Sequence, residues 1–132
     1  MSIAVIYSCS FAGTPPAAVQ KTFEQKFPKA TNVSWGKENK KEWEAEFTID
    51  GSKISANFTN EGTWVETEKK ITVSELPKAV SDAIQKQYPD WKITEADKTE
   101  TAKNGVIYEA DIKSGTQKKG VAFKEDGTPV KE

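Results

Sequence analysis

The apolar positions of this chain change period twice, and then do so again. Val19, Phe23 and Phe27 recur every four residues with Lys and Glu between them, which makes one stripe of an α-helix. Thr14, ahead of Pro15-Pro16, is placed to cap that helix. The residue before a proline is pushed out of helical conformation, so Phe27, before Pro28, should end it. The period then becomes two. In "KEWEAEFTI" Trp43, Ala45, Phe47 and Ile49 share one side while Glu42, Glu44, Glu46 and Thr48 share the other, the signature of a half-buried strand. Asp50-Gly51 is a hairpin turn by composition. "KISANF" continues the alternation with Ile54, Ala56 and Phe58 inward, "NEG" turns again, and "TWVETEK" follows as a further strand. "TNVSW", with Val33 and Trp35 on one side, is the strand expected ahead of these.

The whole sequence of elements is then written a second time. "PAAVQKTFEQKFPKA" (16–30) matches "PKAVSDAIQKQYPDW" (77–91), so Val80, Ile84 and Tyr88 stand where Val19, Phe23 and Phe27 do, and Ser74 ahead of Leu76-Pro77 stands as the second cap. "WEAEF" (43–47) matches "YEADI" (108–112), and "FTNEGTWVE" (58–66) matches "FKEDGTPVK" (123–131). The second copy has a longer connection at "KTETAKNG", where a loop tolerates insertion. Each copy predicts a helix followed by about four antiparallel strands, oily on one face and charged on the other. The amphipathic helix covers the oily face. The expected fold class is α+β, a tandem duplication with the helices packed on one sheet face. Its divisions are a leader over 1–13, one repeat over 14–73 and another over 74–132.

Composition narrows the chemistry. The 132 residues contain no His, which removes the commonest general base and metal ligand, and the lone Cys9 can form neither an internal disulfide nor a zinc site. Ser-His-acid, Cys-His and zinc hydrolase mechanisms are thereby excluded. All 19 basic residues are Lys and are balanced by 20 acidic ones, so the basic face and guanidinium forks of nucleic-acid binders are missing. No loop of D-x-D-x-D-G type predicts a calcium site, and no cofactor is expected.

The opening "MSIAVIYSCSFAG" is apolar and uncharged, unlike the Lys/Glu-rich remainder. Three readings fit it. It is the end of a secretory signal with a small-residue site at Ser10-Phe11-Ala12, a degenerate lipoprotein site with Cys9 as the lipidated residue, or a short apolar first strand. No other stretch approaches the ~18 apolar residues that would predict a transmembrane helix.

The motifs V-x-x-x-F/I-x-x-x-F/Y-P, W/Y-E-A-E/D-F/I and F-x-x-x-G-T, in tandem over Pro16 to Glu132, resemble the PepSY-like family of bacterial exported proteins. That family is related in fold to the β-lactamase inhibitory protein. The resemblance implies a periplasmic or otherwise exported protein without catalysis, with an inhibitory or binding role. Its motifs are core and turn positions, so they carry over no contact residues.

Strand parity puts Glu44, Glu46, Trp64, Glu66, Glu68, Glu109 and Asp111 on the sheet face away from the helices. A solvated face reads the same way. An indole among carboxylates favours a recognition surface, with Trp64, Glu66, Glu44, Glu46, Glu109 and Asp111 as the partner-binding residues, unless a bulge turns Trp64 inward. Pro129, at the position of Trp64 in the second copy, cannot donate to a ladder and should lie at a sheet edge. Trp35, Trp43, Phe47, Phe58, Trp91 and Phe123 are expected in the cores.

The function this predicts is a small exported, non-catalytic binding module, an inhibitor or regulator of an envelope hydrolase with an envelope protein as partner. The alternative is a binder of small ligands or cell-wall fragments, using a groove where the two sheets meet. A hydrolase using carboxylates alone needs two of them about 5 to 9 Å apart across a cleft, which a flat acidic face does not offer.

Overall fold

The computed structural model describes residues 13–131. The leader-like segment and Cys9 therefore lie outside the described residues. In chain order the elements are α1 (Ala17–Lys26), β1 (Thr31–Asn39), β2 (Glu42–Ile49), β3 (Ser52–Thr59), β4 (Trp64–Ile71), a 3-10 turn (Val73–Glu75), α2 (Lys78–Gln87), β5 (Lys92–Thr101), β6 (Gly105–Ser114) and β7 (Gln117–Lys124). The fold is α+β, with two helices and an antiparallel seven-stranded sheet in which the strands follow one another in sequence order. One helix with four strands, then one helix with three, replaces the expected two sets of about four. Where the first copy continues from Trp64 into β4, the second makes only a Phe123–Pro129 bridge beside β7, held by Lys124 N–H to Thr128 O and Val130 N–H to Ala122 O, so Pro129 pairs without needing the N–H it lacks.

The chain divides into two compact units, one reaching Lys69 and including Thr101–Lys103, the other formed by Lys70–Glu100 and the residues from Asn104 on. Each has its own core. In the first, Val19 and Phe23 of α1 lie on Ala45, Phe47, Ala56 and Phe58. The Phe23 ring meets Trp35 and Phe47 edge-on, each at 5.1 Å between centroids. In the second, Val80 and Ile84 of α2 lie on Tyr108, Ala110, Ile112, Val121 and Phe123. The helical stripes and the period-two strands thus face each other as their patterns require. Trp35, Trp43 and Trp91 differ from expectation. They are half-buried at the rims of these cores, while Phe47, Phe58 and Phe123 fill the interiors.

Phe27 and Tyr88 end the helices as their prolines require. The N-terminal caps are not Thr14 and Ser74. Pro16 and Pro77 occupy the cap positions, their carbonyls accepting from Val19 and Gln20 and from Val80 and Ser81, and neither helix has a side-chain cap. Proline's fixed φ suits entry to a helix, so the chain begins to coil as soon as Pro16 or Pro77 is passed. Ser74 belongs instead to the 3-10 turn, which is closed by Glu75 accepting from the Thr72 N–H at 3.2 Å. Asp50-Gly51 forms the expected hairpin turn, with φ of 49° and 81° as a primed turn demands.

The repeated phrase F-x-x-x-G-T now has a cause. Phe58 and Phe123 are buried beneath the helices, and four residues on, Gly62 and Gly127 lie against the helices' first turns. A Cβ on Gly62 would stand 2.6 Å from the Ala18 carbonyl oxygen, and one on Gly127 2.6 Å from that of Ala79. Both glycines also have φ near +90°, 89° and 87°. The turns are closed alike, by Thr59 N–H to Thr63 O and Gly62 N–H to Thr59 O in one, and by Lys124 N–H to Thr128 O and Gly127 N–H to Lys124 O in the other. Gly62→Ala and Gly127→Ala should each cost about 2 kcal/mol or more, since a clash with backbone adds to an unfavourable φ. Urea unfolding of the two variants checks this, and Gly51→Ala, whose Cβ would meet nothing, should cost less than either.

Candidate interaction surface

The face of the first unit away from α1 is set by strand register. Gly36, Glu44 and Asn57 lie opposite one another across β1, β2 and β3, and Asn57 pairs in turn with Glu66 on β4. The next row on the same face is Ser34, Glu46, Ser55 and Glu68. Glu38, two residues on from Gly36 along β1, shares this face by alternation. The expected Glu44, Glu46 and Glu66 are therefore brought together, with Glu38, Glu42 and Glu68 as neighbours.

This face is not simply solvated. Glu44 is only 7% exposed, and Asn57, Glu68 and Ser55 are also buried. With no side chain on Gly36 opposite it, Glu44 settles on the sheet with Glu38 and Glu46 as its acidic neighbours. Burial, then the charge of Glu38, push the Glu44 carboxyl up to about 8. Burial also raises Glu66, with Glu42 and Glu38 adding repulsion, while the Asn57 amide reaches its carboxyl at the long limit of 3.5 Å.

Glu109 and Asp111 belong to the other unit, where they face Ala122 and Gly120 across β6 and β7. Asp111 has Glu95 and Lys70 near it, and burial followed by Glu95 raises its carboxyl against the pull of Lys70. Asp97 is raised mainly by burial, and Lys70 pairs with Glu95 at 3.1 Å.

Trp64 is not on the acidic face. The β3–β4 register pairs Asn57 with Glu66 but Phe58 with Trp64, so Val65 is an extra residue and the parity of β4 flips at its start. The indole lies on the rim of the α1 core, donates from Nε1 to Thr67 Oγ1 at 2.8 Å, and has the Lys26 ammonium 4.1 Å above its ring. Its assignment to the acidic recognition face is corrected by this bulge. Beyond it, Glu66 and Glu68 point as parity requires.

A groove of about 440 Å³ opens between α1 and β1, lined by Phe23, Phe27, Pro28, Val33 and Trp35 with Gln20 and Glu24 among its polar groups. It lies within one unit, against a helix, and is not the junction of two sheets expected of a ligand site. A second irregularity makes it accessible. Asn32 has a φ of 53° and the ladder slips between Thr31 and Ser34, which leaves Val33 39% exposed. Among the described residues no group of three or more His, Cys, Asp or Glu side chains is arranged to hold a metal ion. Among them, too, no helix is long and apolar enough to cross a membrane.

The family described as "Putative beta-lactamase-inhibitor-like, PepSY-like" matches residues 41–128. The fold is similar to that of a DUF2874 family protein from Bacteroides ovatus, with 25% identity, 90% of this chain and 86% of that one covered, and a TM-score of 0.81. It is also similar to a BLIP-like protein from Bacteroides fragilis, at 21% identity over 90% and 85% of the two chains with a TM-score of 0.80. A protein from Bacteroides eggerthii described as periplasmic shares the fold at 21% identity, 90% and 88% coverage and a TM-score of 0.80. No curated protein matches the sequence.

Two measurements test this geometry. Trp64→Ala should destabilise the protein by about 2 kcal/mol in urea unfolding, less than a fully buried aromatic because the indole is half-buried. Stability should also respond to pH through Glu44. Its carboxyl is raised from 4.5 to about 8 by folding, so the folded state holds a proton that the unfolded state has lost between those values. Stability is then fully present below about pH 4.5, declines as pH rises towards about 8, and levels off above it. Glu44→Gln should remove most of that decline, as read from urea midpoints across the range.

Proposed function

The chain belongs to the PepSY-like, β-lactamase-inhibitor-like family, and on that premise we propose that it is a small non-catalytic binding module of the bacterial envelope that inhibits or regulates an envelope hydrolase. The observation that carries this reading is the crowding of Glu38, Glu42, Glu44, Glu46 and Glu66 on one sheet face, the face left uncovered by α1. A face of one charge sign selects partners by complementarity and speeds their encounter, and this one selects a basic protein surface. Glu44, Glu46 and Glu66 are its contact residues, with Glu109 and Asp111 as a further acidic contact in the other unit. In a chain with no His, no Arg and a single Cys, carboxylates attract cations and supply none of the usual nucleophile and base pairs, which favours binding over chemistry. The periplasmic description of the Bacteroides eggerthii protein and the leader-like start support an exported location. The matched placement of Gly62 and Gly127 supports a tandem duplication, with repeats over 14–73 and 74–132 after a leader over 1–13.

A second reading rests on the groove beside α1. Its aromatic lining and exposed Val33 would take a small apolar ligand or the apolar part of a cell-wall fragment. A ligand of that kind raises the melting temperature by mass action, so a thermal-shift screen of cell-wall fragments separates the two readings.

The leading reading is tested by affinity capture from envelope extract with residues 14–132 as bait. One defined protein should be retained, and it should be released as salt rises, since exposed charge pairs are screened over roughly 8 Å at physiological ionic strength. Replacing Glu46 and Glu66 by Gln together should weaken that capture about tenfold or more. Retention of the same protein by wild type and double variant alike would remove the acidic face from the account.

A further inference from the structure

The groove beside α1 is bordered by a strand at the edge of the sheet. β1 comes first in the strand order, and among the described residues its strand neighbour is β2 alone. One bond marks its outer side: the Gly13 N–H donates to the Trp35 carbonyl at 3.3 Å, and Gly13 belongs to no strand. The Trp35 carbonyl therefore points away from β2. Backbone groups of successive strand residues alternate in direction, so those of Val33 point outward with those of Trp35, while Ser34 and Gly36 turn theirs towards Glu46 and Glu44.

The side chains of the same two residues line the groove. Val33 and Trp35 supply its strand side, and Phe23, Phe27 and Glu24 stand across from them on α1. A small apolar ligand would use the side chains alone, whereas an extended peptide uses the side chains and the outward backbone groups together. The stretch is also bounded. Open edges are ordinarily guarded by charge, proline or a bulge, and here the guards stand at the two ends, in the slip around Asn32 and in the charges of Lys37 and Glu38. Between them residues 33–36 carry no charge. Glu24 is the one charged side chain of the lining, and a basic residue complements it.

We propose that the outer edge of β1 and the groove beside it form one docking site for an extended segment of a partner protein, which joins the sheet as a further strand. Its main chain bonds the outward groups of Val33 and Trp35, on the edge where Gly13 already places a backbone donor. Every second side chain of the added strand falls on the helix side. Those side chains are apolar where they meet Phe23, Phe27, Val33 and Trp35 and basic where they meet Glu24, so the segment reads apolar-x-apolar-x-basic. This occupant takes the place of the small ligand in the groove. The site is independent of the acidic face, which lies on the other side of the sheet.

The probe is the acetylated and amidated peptide Thr-Phe-Thr-Val-Thr-Lys-Thr, titrated into the ¹⁵N-labelled folded protein and followed by NMR. Saturable binding with a Kd below about 1 mM is expected, with the shifts confined to residues 31–37 and α1. Only one set of peptide amides can face β1. Of two N-methylated peptides, one methylated at Phe and Val and the other at the two threonines flanking Val, one should therefore bind about tenfold more weakly than the other. Val33→Lys, at an exposed position, should weaken binding about tenfold, because it replaces an apolar contact and repels the peptide's lysine. Replacing Glu46 and Glu66 by Gln together should leave this binding unchanged, which separates it from capture by the acidic face. No saturation by about 1 mM, equal binding of the two methylated peptides, or loss of binding in the Glu46 and Glu66 double variant but not in Val33→Lys would overturn the proposal. So would self-association of the protein through residues 31–37 in place of peptide binding.

Discussion

The fold depends on how close a helix can come to the sheet it covers. In each unit the first turn of the helix rests on the β-turn that follows the core phenylalanine, with the carbonyl of Ala18 or Ala79 where a side chain would otherwise begin. Only glycine permits that approach, and only glycine is unstrained at the backbone angle of the turn. The contact sets the helix at one height and one rotation. With that fixed, Val19 and Phe23, or Val80 and Ile84, land on the apolar strand positions, and Phe58 or Phe123 is sealed beneath them. The Phe and the Gly of F-x-x-x-G-T are thus two ends of one device, which is why the phrase is written twice.

That device leaves the other sheet face to be decided by strand register, and register is where β-bulges act. A strand has a side-chain period of two, so one extra residue exchanges its faces. Val65 does this at the start of β4, sending Trp64 to the helix side while Glu66 and Glu68 stay with the other acids. The irregularity next to Lys37 does it again, putting Asn39 opposite Glu42, to whose carboxylate its amide donates at 3.0 Å. Plain alternation therefore collects the carboxyls, and the slip at Val65 keeps the indole out of them. The result is a surface that carries charge and buries part of it. Such a surface is costly to keep ionised and suited to meeting a cationic partner, whose charge would stabilise the carboxylates in place of protons.

What could be read from the sequence follows from the same distinction. Helix ends at Phe27 and Tyr88, the Asp50-Gly51 turn and the apolar sides of β2 and β3 are local properties of a few adjacent residues. They were legible because the steric and periodic rules behind them act over that range. The rows that brought Glu44, Asn57 and Glu66 together were legible in part, since parity places residues on a face as long as the count is unbroken. Trp64 was not, because a bulge is set by what the partner strand and the helix demand. Phe58 pulls Trp64 to its own side, and the Lys26 ammonium and Thr67 hydroxyl complete a site for the indole that no neighbour in sequence announces. In the second copy Pro129 makes a bridge to Phe123 in place of a fourth strand, at a position beside β7 where its missing N–H breaks no ladder bond.

The divergence of the two copies bears on function for the same reason. Both keep the glycine contact and the buried phenylalanine, so selection for folding acts on them alike. Where they differ is on the polar face: burial and neighbouring carboxyls raise Glu44 and Glu66 in the first unit, while Lys70 tempers Asp97 and Asp111 in the second. Stability alone would favour the tempered arrangement, because an opposite charge relieves a buried carboxyl. The first unit retains the arrangement that costs stability as the carboxyls ionise. Cost kept in one unit and relieved in the other supports the binding role proposed for the face of β2, β3 and β4.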